Sequence, residues 1–205
     1  MKTLKQLLKP SSHVTLFMIF LLGCAYGNSQ IINGEPVNSN KPETQLPPEI
    51  LWDVKAYHPE AKLLKIKAID KEGNFYDVKA IQSFDDISIL DVKAIVNNEY
   101  LPVKLIVKEN EAYYPLKAIT SDGILLDIKA ITNTGELLPV KGIGTSGIII
   151  RIRAIGDNDT FYNVFAISPD GHVNDVKGLK MLKTNVETVI NEISIYAHVK
   201  ALRQN

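Results

Sequence analysis

The chain has 205 residues, and its 23 basic and 23 acidic side chains are interleaved rather than grouped in blocks. Such a balance lacks the positive footprint that phosphate backbones require, so nucleic acid is not an expected partner. The single cysteine, Cys24, lies near the N-terminus. The rest of the chain therefore has no disulfide, thiol nucleophile or cysteine metal site.

Residues 1–23 have the pattern of a secretory signal peptide. They contain three lysines, no acidic residue, and an apolar stretch from Val14 to Leu22. This stretch is shorter than the roughly 20 residues that a membrane-spanning helix needs. We therefore predict export. Removal of the segment leaves 20 basic against 23 acidic residues, a net charge of about −3.

The end of the signal sequence offers two processing routes. Residues 21–24, Leu-Leu-Gly-Cys, resemble the lipobox of bacterial lipoproteins, in which the cysteine is lipidated and becomes the new N-terminus. The alternative is ordinary cleavage before Asn28 or after Ser29. The first route predicts a cell-surface or outer-membrane lipoprotein whose membrane contact is a lipid on Cys24. The second predicts a periplasmic or secreted protein.

Residues 24–50 are rich in Asn, Gly, Ser and Pro and show no apolar periodicity. This composition predicts a flexible linker. Residues 51–205 form the predicted folded domain, which is of ordinary size for a single core.

A 12-residue repeat of the form apolar-Lys-Ala-Ile dominates this domain. We define its first residue as position 0 and the lysine as position +1. Most steps between successive lysines are 12 residues, and the last is 23, which leaves room for a divergent strand around Val186 to Ile190. Position 0 is occupied by Val54, Ile66, Val78, Val92, Val103, Leu116, Ile128, Val140, Ile152, Val164, Val176 and Val199.

Each copy of the repeat predicts one strand followed by a turn. Positions −3 and −2 are mostly apolar or aromatic, and position −1 is mostly Asp or Pro. About seven such residues followed by five connecting residues are typical of a strand and a hairpin loop. Residues 168–171, Ser-Pro-Asp-Gly, predict a type I turn closed by a left-handed glycine.

The lysines favour an antiparallel meander over a parallel solenoid, which would stack like charges on one another. Folding the chain about Asp122 places Lys117 opposite Asp127 and Ile119 opposite Leu125. Alternation places positions −2, 0 and +2 on one face, which we predict to be the core. The predicted fold is therefore all-β, an antiparallel meander of about 12 short strands that forms a closed barrel or a flattened two-sheet sandwich.

No residue pattern points to a catalytic, cofactor-binding or metal site. The histidines His58, His172 and His198 have no zinc-like spacing. Residues 157–159, Asp-Asn-Asp, are interpreted as a solvated turn rather than a calcium loop. The lysines at +1 are interpreted as structural partners of the aspartates. The aromatic residues are interpreted as packing groups rather than sugar-stacking surfaces: Trp52, Tyr100, Tyr113 and Tyr114.

The repeats over residues 51–202 resemble exported bacterial proteins with Val-Lys-Ala-Ile repeats, for which the resemblance implies no activity. We expect a non-catalytic module of the cell envelope or a secreted module, one that binds a cell-surface glycan or protein or is structural. The alternative is an envelope-associated hydrolase acting on glycans. Carboxylates that converge in one concave pocket would favour the hydrolase.

Overall fold

A computed structural model describes residues 48–60, 63–180 and 188–204. Cys24, the predicted signal peptide and most of the predicted linker lie outside the described residues. The described residues form thirteen strands and one short 3-10 turn, Asp157–Asp159. The strands are β1 Ile50–Tyr57, β2 Leu64–Ile69, β3 Phe75–Gln82, β4 Ile89–Val96, β5 Glu99–Ile106, β6 Tyr114–Ile119, β7 Leu125–Ile131, β8 Leu137–Ser146, β9 Ile149–Ile155, β10 Phe161–Ile167, β11 Val173–Lys180, β12 Val189–Ile190 and β13 Ile193–Arg203.

The prediction of an all-β antiparallel fold with one strand per repeat is confirmed. Twelve strands each carry one repeat, and every strand pairing in the described residues is antiparallel. The short β12 lies where a divergent strand was expected. The sheet closes on itself, although it does not form a regular barrel.

Alternating burial along each strand defines the core. Positions −2, 0 and +2 point inward, as Trp52, Val54 and Ala56 show in β1, and positions −1 and +1 point outward. Burial of a single valine or isoleucine side chain contributes about 1.5–3 kcal/mol, so the repeated position 0 supplies much of the driving force for folding.

Seven of the ten pairs of consecutive repeat strands from β1 to β11 have the predicted register. Lys117 lies opposite Asp127 and Ile119 opposite Leu125. Leu138 at position −2 lies opposite Ala130 at position +2, so a large side chain meets a small one. In these seven hairpins, position +1 of the first strand faces position −1 of the next.

Four hairpin loops share one turn design, which includes the predicted turn at residues 168–171. In each, the first residue accepts a hydrogen bond from the glycine three residues later, and that glycine has a positive φ. The first side chain also accepts a hydrogen bond from the backbone N–H four residues later. The loops begin at Asp70, Thr120, Thr132 and Ser168.

The other side of each repeat strand pairs differently, because there position +1 faces position +1 of another repeat strand, which is the neighbour in sequence in three pairings and a distant strand in three. This arrangement was not predicted from the sequence, and it sets like charges opposite each other in five of the six pairings. The facing pairs are Lys67–Lys129, Lys79–Lys93, Lys104–Lys117, Lys141–Arg153, Lys177–Lys200 and Lys55–Phe165.

Each repeat strand therefore has one side paired with a single strand and one side shared between two strands. The shared sides meet in groups of three, which we call junctions. In the part of the chain that the structure describes, there are four: β1–β2–β3, β4–β5–β13, β6–β7–β8 and β9–β10–β11.

The six single-strand pairings connect these junctions as the six edges of a tetrahedron connect its four corners. Each junction is joined to each of the other three by one pairing, over the described residues. The pairings are β1–β10, β2–β7, β3–β4, β5–β6, β8–β9 and β11–β13. The twelve repeat strands thus occupy nearly equivalent environments.

Small residues at position +2 are needed where the strands crowd into the core. This position is alanine in nine repeats and leucine in one, Leu105. The remaining two are Gly142 and Gly178, and both lie against Leu105. A Cβ on them would approach the Leu105 side chain to 2.8 and 2.5 Å. The two glycines therefore make room for the one large residue.

Candidate functional site

The outward faces of the repeat strands are strongly basic. Among the twenty-four residues at positions −1 and +1, thirteen are Lys or Arg and five are Asp. The basic residues are Lys55, Lys65, Lys67, Lys79, Lys93, Lys104, Lys117, Lys129, Lys141, Arg151, Arg153, Lys177 and Lys200; the acidic ones are Asp53, Asp77, Asp91, Asp127 and Asp175. Basic and acidic residues are equal in number along the sequence, but basic residues are in excess on the outward faces of the strands.

Neighbouring lysines lower the pKa of four aspartates on these faces, Asp53, Asp77, Asp91 and Asp127. The hydrogen bond from Lys79 lowers the pKa of Asp53, and that from Lys67 lowers the pKa of Asp77. For Asp127, partial burial is the largest effect and opposes ionisation, but the hydrogen bonds and charges of Lys117 and Lys129 together outweigh it and lower the pKa. Each aspartate thus neutralises part of a larger basic surface.

The β1–β2–β3 junction contains a depression of about 220 Å³ at its centre. Its rim carries four lysines and two aspartates, a formal charge of +2. The lysines are Lys55, Lys65, Lys67 and Lys79, and the aspartates are Asp53 and Asp77. Its floor is formed by the position-0 residues of the three strands.

Comparison with known proteins identifies a family. A family model described as a family of unknown function, DUF7486, matches residues 48–202, well over half of the chain. The chain belongs to this family. No curated protein and no solved structure gives a significant match. The description of DUF7486 carries no activity, so no residue role is transferred from it.

In this DUF7486 domain, three of the four aromatic candidates pack within the protein. Trp52 is fully buried, and its indole N–H donates a hydrogen bond of 2.8 Å to Gln82. The Tyr114 ring stacks on Tyr196 with ring centroids 3.8 Å apart. Tyr113 makes an edge contact with Phe161. Tyr100, in contrast, is 44% exposed.

The histidines lie apart in the DUF7486 fold, as do the residues of the possible calcium turn. His58 packs near Tyr162, His172 forms an ion pair of 3.3 Å with Asp170 when protonated, and His198 contacts Lys104. Asp157–Asp159 forms the 3-10 turn. Among the described residues, no three His, Cys, Asp or Glu side chains are placed to hold a metal ion.

One shallow cleft of about 490 Å³ brings three glutamates together: Glu109, Glu111 and Glu192. Glu111 forms an ion pair with Lys141. Sequence reasoning missed this cleft because its glutamates come from two distant loops that have no common spacing.

Sequence reasoning also treated the lysines at position +1 as partners of aspartates, and seven of them form such ion pairs: Lys55, Lys67, Lys79, Lys117, Lys129, Lys177 and Lys200. It did not count how far the basic residues outnumber these aspartates. Only five of twelve positions −1 are aspartate. The excess of basic residues on the strand faces could have been found in the sequence, since several repeats have Pro, Lys or Arg before position 0. Within the described residues, no helix has the length and hydropathy needed to cross a membrane.

Proposed function

We propose that this protein is a non-catalytic exported module of the cell envelope that binds an acidic glycan. The supporting observation is the excess of basic residues at the outward positions of the strands, thirteen against five acidic ones. The acidic residues lie mainly in the loops and in the N-terminal segment, so anionic groups are attracted to the strand faces rather than to the loops.

A polymer fits this surface better than a small ligand does. The basic residues are distributed over four junctions and six pairings rather than gathered in a single deep pocket. A chain with repeated acidic groups can contact several of these regions at once, and each further contact then occurs at high effective concentration. Ammonium groups on lysine bind carboxylate, sulfate or phosphate as point charges.

The ionisation of the aspartates supports a non-catalytic role. A glycosidase needs a carboxylic acid whose pKa is raised so that it can donate a proton. The aspartates with clearly shifted pKa values in the described residues are all lowered by hydrogen bonds or lysines: Asp53, Asp70, Asp77, Asp86, Asp91, Asp122, Asp127 and Asp170.

The glutamate cleft is the observation that favours the alternative, a glycan hydrolase. If Glu109 and Glu192 acted as acid and base, the protein would release reducing ends from an acidic glycan. Glu109→Gln and Glu192→Gln would each abolish that release. Binding without release of reducing ends would contradict the hydrolase and support the module.

A panel of immobilised glycans tests the proposal. We expect the mature protein to bind sulfated and uronic-acid polymers but not neutral ones, and binding to weaken strongly between about 50 and 300 mM salt because the contacts are ionic. Equal binding to neutral polymers would contradict the proposal.

Matched variants locate the binding surface. Lys93→Gln with Lys129→Gln removes two charges from the strand faces, whereas Lys71→Gln with Lys108→Gln removes two charges from loops. We expect the first pair to weaken binding more than the second. An equal effect would show that the strand faces are not the binding surface.

The exported location rests on residues 1–24 and is tested at the mature N-terminus. Mass spectrometry of the membrane fraction is expected to find an acylated Cys24, and Cys24→Ser to release the protein into the soluble fraction. A free N-terminus at Asn28 would identify the secreted form, whereas an intact residue 1 would contradict export.

A further inference from the structure

We propose that the β1–β2–β3 junction is a binding site for a tetrahedral oxyanion, a phosphate or sulfate group. This inference rests on the proposed function and deepens it, because it names the group that one junction recognises. The site consists of Lys55, Lys65, Lys67 and Lys79 around the central depression of about 220 Å³.

The junction already holds one oxyanion of the protein between two ammonium groups. The Asp53 carboxylate contacts Lys55 Nζ at 3.2 Å on one oxygen and Lys79 Nζ on the other. The side chains of these two lysines are 22% and 21% exposed, so solvent screens their charges only in part. The geometry shows that lysines from different strands converge on a single anionic group.

Lys65 is one of two basic residues at position −1; the other, Arg151, lies opposite Lys177 in the β9–β10–β11 junction. Position −1 in most repeats is Asp or Pro, but Lys65 faces Lys55 directly across the β1–β2 pairing. Lys65 forms no ion pair with any described residue and is exposed. Like charges placed directly opposite each other destabilise a sheet. A bound anion between Lys55 and Lys65 would turn this repulsion into attraction.

The other junctions offer fewer ammonium or guanidinium groups. The β6–β7–β8 junction has three lysines, with Pro115, Asp127 and Pro139 at its −1 positions. The β4–β5–β13 junction likewise has three lysines, and the β9–β10–β11 junction has two arginines and one lysine. The first junction thus has the most cationic groups around one centre, and its second aspartate leaves its formal charge at +2, equal to that of each other junction.

Titration with inorganic phosphate and with inorganic sulfate, followed by amide NMR shifts, tests the site. We expect shift changes centred on residues 53–55, 65–67 and 77–79 in the full mature chain. Sulfate binding should be nearly constant between about pH 5 and 8, whereas phosphate binding should strengthen with pH because its second ionisation lies near pH 6. Absence of localised shifts for both anions would overturn the proposal.

Substitution of Lys65 separates binding from folding. Lys65→Asp introduces the residue found most often at position −1, so we expect an unchanged or raised melting temperature and about tenfold weaker phosphate and sulfate binding. Arg151→Asp makes the same change of charge at the equivalent position of the β9–β10–β11 junction and should leave the affinity nearly unchanged. Equal losses from both variants, or no loss from Lys65→Asp, would contradict the site.

Removal of the Asp53 carboxylate, which occupies Lys55 and Lys79, should strengthen anion binding. Asp53→Asn frees Lys55 and Lys79, so phosphate and sulfate should bind more tightly. Asp127→Asn in the β6–β7–β8 junction should have no such effect. Weaker binding by Asp53→Asn would contradict the proposal. Glycan binding without anion binding at this junction would contradict the site but not the proposed function. Anion binding at this junction without glycan binding would contradict the proposed function but not the site.

Discussion

Leu105 shows how one residue departs from a repeat and is accommodated by two others. It is fully buried at position +2, where nine other repeats have alanine, and Gly142 and Gly178 both lie against it. These three residues come from β5, β8 and β11, which are far apart in sequence. Their identities therefore depend on one another although no local pattern connects them.

We expect Gly178→Ala to destabilise the protein by about 1–3 kcal/mol, because the new methyl group overlaps Leu105. Leu105→Ala alone should cost about 2–5 kcal/mol through the cavity that it leaves. In the Leu105→Ala background, Gly178→Ala should instead be neutral or stabilising. Urea unfolding of the four proteins in this cycle measures the coupling, and additive effects would contradict it.

The stability of the protein should also depend on pH through the carboxylate of Asp77. The hydrogen bond from Lys67 lowers the pKa of Asp77 below its ordinary value of 3.8, so the folded state binds this proton less readily than the unfolded state. The resulting stability is complete above pH 3.8 and is lost as pH falls below it.

Asp77→Asn should therefore cost a few tenths of a kcal/mol at pH 7, because the pair is largely solvent-exposed. The difference from the unsubstituted protein should shrink below about pH 3.8. Urea unfolding at several pH values tests this. Asp85→Asn, which removes a loop carboxylate without an ion pair among the described residues, is the control, and an equal effect there would refute a local origin.

At the scale of secondary-structure elements, the hairpin loops require a residue that can adopt the left-handed backbone conformation. Gly135 has a φ of +87°, and nothing lies within 4 Å of the position that a Cβ would occupy. A substitution there is therefore penalised by backbone conformation and not by packing.

Gly135→Ala is accordingly expected to cost about 1–2 kcal/mol, the usual penalty for an L-residue in the left-handed region. Gly135→Asn should cost less, since asparagine tolerates this region better. Thermal unfolding of the two variants distinguishes backbone strain from side-chain crowding as the cause of the loss of stability. A larger loss for asparagine would indicate that crowding, rather than backbone strain, limits this position.

The elements also show which part of the fold could be predicted from sequence. The register of Lys117 with Asp127 follows from a short loop and from complementary charges, and both are local features. The pairing of Lys67 with Lys129 could not be predicted, because the repeats are so alike that β2 could pair equally well with several strands. For the candidate site, the outward positions of the lysines were predictable, but their convergence at a junction was not.

At the scale of the whole molecule, β13 completes the closed sheet. It pairs with β11 along one side and with β4 and β5 along the other, so the last strand covers three strand edges at once. Exposed strand edges readily pair with other chains.

Removal of residues 181–205 should therefore cause aggregation or failure to fold. Removal of only residues 204–205, which lie beyond the end of β13, should be tolerated. Size-exclusion chromatography and circular dichroism distinguish these outcomes. A monomeric, folded protein that lacks β13 would contradict the role of this strand in closure.

The tetrahedral connectivity of the twelve repeat strands has a consequence for the number of repeats. A solenoid can gain or lose a repeat at its end, because each unit contacts only its neighbours. Here every repeat strand contributes to one junction and to one pairing, and the closed set leaves no place for another member. Duplication or deletion of a single repeat should therefore disrupt the whole sheet, so copy number in this architecture is held at twelve by geometry while the sequences of the copies remain free to diverge.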